Sequence, residues 1–430
     1  LKEVSGLESE TFLILLGGLL VLAFLAEEAF RRLRLPPVLV LMACGLILGP
    51  ATGLLPAERF SAVAPHFGAL AFLLILFEGG LDLNLTAVVS RLRAGLALAA
   101  IGFGAAALAA GALATAAGLA PDQAVVLAVV VAPISGAIVL PLASRLGLRE
   151  EVRTLVVLEA ALADVLGVLA MTLLKQLHAG GGWAGLVALG SLMAALFSIL
   201  LAVAAGLLWP RVLRRLGDRR FVDVLTFGGA LAMWGFVEML GASGALAVLV
   251  LGVTLANERE FLDAVGAQVE PVASVTGDAV KRLHLFTAQL TFLVRTFFFV
   301  FLGVVIEFGS LRLSRALLAM GFVALFVCVR RLVIDGLEAS GAFALSEQEK
   351  RTVWLMQPRG LVSAVLAIEA SHLGVDDGSF LGVVFLVILA TNVLLVLVAG
   401  GRQGEVTAAV PAAAGPEQPP FRPSPRAAPG

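Results

Sequence analysis

The sequence predicts an all-α integral membrane protein with about thirteen transmembrane helices, and three observations carry that prediction. Sixty per cent of its 430 residues are apolar and only 14 % are charged, a balance that lipid can solvate and water cannot. Apolar runs of bilayer-spanning length recur along the chain. Basic residues gather in alternate loops. With four histidines, two cysteines and a net charge of −1, nothing points to a nucleic-acid partner.

A helix needs about 20 apolar residues to cross ~30 Å of hydrocarbon. Runs that meet or approach this length lie near 11–30, 38–55, 64–83, 94–117, 124–142, 152–174 and 184–209. The others lie near 224–240, 243–256, 290–307, 313–337, 353–371 and 379–400. The first run ends in Glu27, Glu28 and Arg31 and offers no small-residue cleavage site, so it reads as a span and not as a leader. The short pair 224–240 and 243–256, joined by Gly241 and Ala242, forms either a hairpin or one kinked helix.

The basic residues decide for the hairpin. With the N-terminus outside, inner loops hold Arg31, Arg32, Arg34, Arg91, Arg93, Arg145, Arg149, Arg153, Arg211, Arg259, Lys281, Arg282, Lys350 and Arg351, among others. Outer loops hold only Lys2, Arg59, Lys175, Arg312 and Arg315. Both flanks of the pair then fall on one side and the C-terminus is cytoplasmic. The loop 257–289 reads as a linker or a surface-lying amphipathic segment. Residues 1–403 form the membrane domain, and the Pro/Ala-rich stretch 404–430 reads as a disordered cytoplasmic tail. Cys44 and Cys328 lie far apart in apolar runs, so no disulfide is expected.

Two spans are interrupted. One contains Ala132-Pro133-Ile134-Ser135-Gly136 and the other Gln357-Pro358-Arg359-Gly360. Proline removes a backbone donor and glycine permits unusual dihedrals, so both runs should unwind near 132–136 and 357–360. Freed backbone groups are tolerated there only against protein or a water-filled cavity. Such breaks at comparable places in two halves point to a transporter built from inverted repeats. The plainer reading is a pair of proline kinks in packed helices.

A charge at mid-bilayer costs roughly 2.5–3.5 kcal/mol, so it needs a partner, a cavity or a proton. Asp164 and Glu159 share one span but lie about 140° apart around it. Arg330 and Arg331 lie in the eleventh span, and Arg359 lies at the second break. Pairing Glu159 with Arg330 leaves Asp164 as the group that must take a proton or a monovalent cation. Glu78 and Glu238 lie near helix ends, where snorkelling or capping is the ordinary role. The histidines, His66, His178, His284 and His372, all fall in or near loops and read as surface residues. No redox cofactor, structural metal or nucleotide motif is visible, and no enzymatic activity is expected.

These residues are similar to a known family. Phe77-Glu78-Gly79-Gly80-Leu81 resembles the FEGGL signature of NhaP-type sodium/proton antiporters and their eukaryotic exchanger relatives. Glu159 and Asp164 match the acidic residues of the E-S-x-x-N-D motif, after a similar Leu146-Gly147-Leu148. Phe299-Val300-Phe301-Leu302-Gly303 resembles the F-x-x-L-G helix, Arg330 the basic residue that follows, and Arg359-Gly360 the later R-G. Glu238, Gly241, Ser243 and Gly244 resemble A-E-x-x-G-x-S-G. The match runs in order from about 11 to 400.

There are departures. The family's Thr-Asp at the first break is Ile134-Ser135, and its Ser and Asn are Ala160 and Ala163. Ala163-Asp164-Val165-Leu166-Gly167 otherwise resembles the D-D-V-L-G of the electrogenic branch. The charged skeleton is kept while several polar side chains that would frame a cation are gone.

The resemblance implies a bacterial inner-membrane antiporter that works as a homodimer among membrane lipids and exchanges Na⁺ or K⁺ for protons. On the residues, Asp164 is the site of competition, and a single free carboxylate makes 1:1 electroneutral exchange the simplest stoichiometry. Ser135 Oγ and carbonyls around Pro133 would be neutral ligands, while Glu159 is held by Arg330 and Arg359 offsets carbonyl ends. A cation channel on the same scaffold, or a non-transporting ion- or pH-sensing paralogue, are the alternatives. Flux independent of the pH gradient, or ion binding without flux, would mark them.

Overall fold

The computed structural model describes residues 9–33, 36–55, 64–83, 85–143, 146, 148–178, 184–216, 221–264, 273–306, 313–371, 373–375 and 380–401. Every described regular element is helical. In order they are α1 (Ser9–Leu33), α2 (Pro37–Leu46, continued by a π-helical turn Ile47–Ala51), α3 (Ala64–Asp82), α4 (Leu85–Ala116), α5 (Pro121–Val131), α6 (Gly136–Ala143), α7 (Glu150–His178) and α8 (Ala184–Leu216). There follow α9 (Val222–Met239), α10 (Gly244–Ala256), α11 (Glu258–Ala264), α12 (Ala273–Val304), α13 (Leu313–Ala339), α14 (Glu347–Leu355), α15 (Leu361–Ser371) and α16 (Phe380–Gly401). Each of the thirteen apolar runs is thus helical over most of its length.

Polarity is arranged inside out. Ile14, Leu108, Leu200 and Leu332 are all at least 70 % exposed on the outer faces, whereas Asp164, Glu159, Arg330 and Arg359 are buried. Backbone groups satisfied within helices, with apolar side chains outward, are what hydrocarbon demands. Among the described residues, seven helices are long and apolar enough to cross a membrane on length and composition alone, and shorter apolar helices accompany them.

Local chemistry sets the ends. Proline at the first helical positions of α2 and α5 fits its fixed φ and missing N–H. Ser346 opens α14 with a capping box, its Oγ accepting the Glu349 N–H while Glu349 reaches back to the Ser346 N–H. The doubtful pair is a hairpin. Gly241 takes φ +72° between α9 and α10, and Ser243 caps α10 by accepting the Leu246 N–H.

Some expectations are corrected. The linker 257–289 is helical at both ends, as α11 and as an α12 that starts at Ala273, well before the apolar run. Lys281, Arg282 and His284 lower the hydropathy of that stretch without breaking its helix, so His284 is a helical residue and not a loop residue. His178, the last residue of α7, is exposed, in keeping with a surface residue. His372, residues 265–272 and the tail 404–430 lie outside the described residues. Cys44 and Cys328 are free thiols.

The helices pack in two groups. In the first, α2 and α3 lie against α12, and α3 also against α10. Glycines set these approaches: a Cβ on Gly252 would meet Phe77 O at 2.6 Å, and one on Gly49 would meet Val304 Cα at 2.7 Å. The Gly45-to-Gly49 spacing therefore serves packing within the chain. In the second group α4 packs on α5, α7 and α13, and α15 on α5, α7 and α16. The two groups meet where α3 touches α6 and α15.

Candidate ion-binding site

Both interrupted helices are present. The chain is non-helical over 132–135, between α5 and α6, and over 356–360, between α14 and α15. The breaks touch: the Ser135 N–H donates to Pro358 O at 2.9 Å. Close approach is possible because Gly360 lacks a side chain, since a Cβ there would run into Ser135. The Pro133 ring lies against Gly167 of α7, where a Cβ would stand 2.5 Å from Pro133 Cγ.

Asp164 reaches this crossing from α7. It is 2 % exposed, and its Oδ2 accepts the N–H of Gly136, the first residue of α6, at 3.0 Å. An N–H at a helix start suits a negative oxygen. Its Oδ1 is buried and has no hydrogen-bond partner. A carboxylate oxygen left bare in a protein interior is costly.

Other atoms of the residue border open space. Asp164 lines a cavity of about 240 Å³ whose walls also carry Glu27, Glu78, Asp82, Thr291 and Arg295. Its lining thus carries three further carboxylates and one guanidinium. Asp82 Oδ1 meets His284 Nε2 at 2.6 Å, and Arg295 lies 3.9 Å from Glu27. Glu78, placed near a helix end by sequence, is here half-buried and shares the cavity with Asp164.

Arg330 from α13 grips Glu159 with both arms, Nη1 to Oε1 at 2.6 Å and Nη2 to Oε2 at 2.9 Å. Its Nε donates to Val353 O of α14 at 2.8 Å, so every nitrogen of the fork is used. The pair lies on a different face of α7 from Asp164, as their separation around the helix requires. Arg359 is 1 % exposed and stacks over the Phe326 ring at 4.4 Å. Its Nε and Nη1 make no hydrogen bond.

Ser135 is buried and its Oγ is unpaired, but it does not line the Asp164 cavity. Glu238 lies elsewhere. Its Oε1 accepts the Gly244 N–H at 2.9 Å across the α9–α10 turn, which is a capping contact. Sequence reasoning missed Thr391 and Asn392 of α16, which fix the second break: Thr391 Oγ1 accepts the Arg359 N–H at 3.0 Å and Asn392 Nδ2 donates to Arg359 O at 2.9 Å. They are the polar pair in an otherwise apolar span, and that was the available signal.

Residues 18–400 match the transmembrane sodium/hydrogen exchanger family. The chain belongs to that family. Among curated proteins it is 25 % identical over 371 residues to Na(+)/H(+) antiporter 1 of Methanocaldococcus jannaschii, covering 82 % of each chain. It is 23 % identical over 253 residues to the probable Na(+)/H(+) antiporter GerT of Bacillus cereus, which covers 58 % of this chain and 66 % of that one. The structure of the sodium proton antiporter MjNhaP1 of M. jannaschii at pH 8 superposes with a TM-score of 0.72 at 21 % identity, covering 92 % of this chain and 97 % of that one. An electron-microscopy structure of the same antiporter gives 0.72 at 22 % identity, with 96 % and 100 % covered. This exchanger-family chain therefore has the antiporter fold over almost its whole described length.

Proposed function

We propose that this family member exchanges one monovalent cation, Na⁺ or K⁺, for one proton by competition at Asp164. The observation that carries the reading is Asp164 itself, which has an unpartnered buried Oδ1 and lines a cavity shared with three further carboxylates. A buried carboxylate that is empty is costly to move through a low-dielectric barrier, whereas the same group carrying H⁺ or a monovalent cation is neutral and moves freely. Coupling follows because both guests use one oxygen pair and exclude each other. One free carboxylate gives a 1:1, electroneutral exchange. Glu159 is held by both arms of Arg330, which also binds Val353 O, so the pair keeps α7, α13 and α14 in register.

The basic loops orient the molecule with its N-terminus outside and its tail in the cytoplasm. The passage to Asp164 then opens inward, beside the α3–α4 connection. In the bacterial inner membrane the chain works as a homodimer of inverted-repeat protomers, the group holding the two breaks moving against the group of α2, α3, α10 and α12.

The test is a pH jump across proteoliposomes scanned over Na⁺, K⁺ and Li⁺, with and without a voltage clamp. Wild type releases protons on cation addition, at a rate indifferent to clamped voltage. Asp164→Asn abolishes release. Exchange by Asp164→Asn at the wild-type rate sinks the competition reading, and a voltage-dependent rate sinks the 1:1 stoichiometry.

A further inference from the structure

Asp164 lines one cavity at the crossing; a second, separate one has a volume of about 20 Å³, room for a particle the size of one water molecule. Glu159, Ala163, Phe326, Arg330, Gln357 and Arg359 are among the residues that line it, and Asp164 is not. The two cavities differ in character. The larger one presents carboxylates, while the smaller one presents donors that nothing accepts. Arg359 Nε and Nη1 and Gln357 Nε2 are buried without a hydrogen-bond partner, on side chains that are 1 % and 2 % exposed.

A guanidinium offers only donors, as does an amide nitrogen. Turning the Gln357 amide over would leave the two Arg359 donors unchanged. The charges around the cavity decide what ligand suits it. Glu159 is matched by Arg330 in a two-pronged pair. Arg359 is then a second buried cation that has the Phe326 ring over its face and nothing on its Nε edge. A ring face attracts a cation but accepts no hydrogen bond from that edge. Water could take two of these hydrogen bonds, but it brings two protons of its own and no charge. An acceptor-only ligand of negative charge answers both deficits.

We propose that this cavity binds one small monovalent anion of the chloride class, held by the Arg359 guanidinium and the Gln357 amide between Ala163 and Phe326. Alanine at 163 is what leaves the space open. With Arg359 offset in this way and Glu159 offset by Arg330, the charge at the crossing is set by the occupant of Asp164 alone. That consequence deepens the exchange reading, but the binding site stands on its own observations.

The experiment is thermal unfolding of the purified full chain in detergent, at fixed pH and ionic strength, with sodium chloride replaced stepwise by sodium gluconate. A ligand that binds only the folded state raises the midpoint with the logarithm of its concentration. Chloride and bromide should do so, while gluconate and sulfate, too large for the cavity, should not. Gln357→Leu removes one donor and should weaken apparent chloride affinity by about tenfold. Ala163→Val fills the cavity and should abolish the chloride response. Equal midpoints in chloride and gluconate overturn the proposal and leave the cavity to water. A chloride response that persists unchanged in Ala163→Val also overturns it, because it marks a general salt effect. Should Ala163→Val fail to fold, Gln357→Leu alone decides, and unchanged chloride affinity in it removes the assignment. The readout is binding, so loss of exchange in transport assays leaves the result standing, and the reverse holds.

Discussion

The Ser135 N–H and the Pro358 carbonyl are joined by a 2.9 Å hydrogen bond, so the two helix breaks are mated to each other and not merely adjacent. Each break thereby satisfies one backbone group that proline and unwinding had freed, in a place where water is scarce.

Gly360 is the residue on which this contact depends. A methyl group there would collide with Ser135 Oγ and Cβ. Gly360→Ala is expected to destabilise the chain by roughly 1–3 kcal/mol, the usual range for overpacking. Ser135→Gly in the same chain should restore much of the loss, since it removes the atoms that are struck. Thermal unfolding of the single and double variants checks this. Equal midpoints for both would show that the breaks do not bear on one another.

The Glu159–Arg330 pair carries a second expectation. Glu159→Ala leaves a buried guanidinium with no counter-charge, which costs about 3–5 kcal/mol, whereas neutralising both partners removes the charge and its desolvation together. The double variant Glu159→Gln with Arg330→Met should therefore unfold at a higher temperature than Glu159→Ala alone. The reverse order would mean that the pair is solvated and not buried.

Much of this site was legible because the bilayer punishes charge and unpaired backbone. Asp164, Glu159, Arg330 and Arg359 stood out by their cost, and opposite signs on different helices proposed the Glu159–Arg330 contact that the structure contains. Pro133 and Pro358 announced the breaks. Other parts obey weaker local rules. The early start of α12 was hidden because an apolar window measures the membrane, while a helix continues into water as long as its hydrogen bonds do. Gly45 and Gly49 approach α12 of the same chain, a partner that glycine spacing by itself does not name. Thr391 and Asn392 carry no charge, so nothing in a cost argument singled them out. The direction from which Asp164 is reached depends on side-chain packing by α3 and α12, which no periodicity encodes.

At the loop between α6 and α7, Arg149 binds Glu349 through Nε and Nη2, both at 2.7 Å, and also reaches Ala344 O. Arg149, helped by the Ser346 N–H and hydroxyl, holds the Glu349 carboxyl down from 4.5 to about 2. A carboxyl whose folded-state pKa is lowered contributes stability that is complete above its unfolded value and lost as pH falls through the folded one. The contribution of Glu349 should thus be intact above about pH 4.5 and fade towards about pH 2. Glu349→Gln should lower the unfolding temperature at neutral pH and flatten its fall across that window. A variant curve parallel to wild type through the whole window would remove Glu349 as the titrating group.

Glu78 and Asp164 share one cavity but not one role. Asp164 lies beside the break with a bare oxygen, whereas Glu78 is half-buried on the wall contributed by α3. A negative wall raises the local concentration of cations and eases their dehydration without itself exchanging a proton in the cycle. Glu78→Gln should therefore raise the cation KM several-fold while the maximal exchange rate stays close to wild type. Raising ionic strength with a large inert salt should shrink the difference between the two proteins, because screening weakens a long-range attraction and leaves a direct ligand bond almost untouched. Proton release from proteoliposomes titrated with Na⁺ or K⁺ at two ionic strengths measures both quantities. If Glu78→Gln instead abolishes exchange at saturating cation, then Glu78 takes part in the occupancy step itself, and the division of labour between the two carboxylates is wrong.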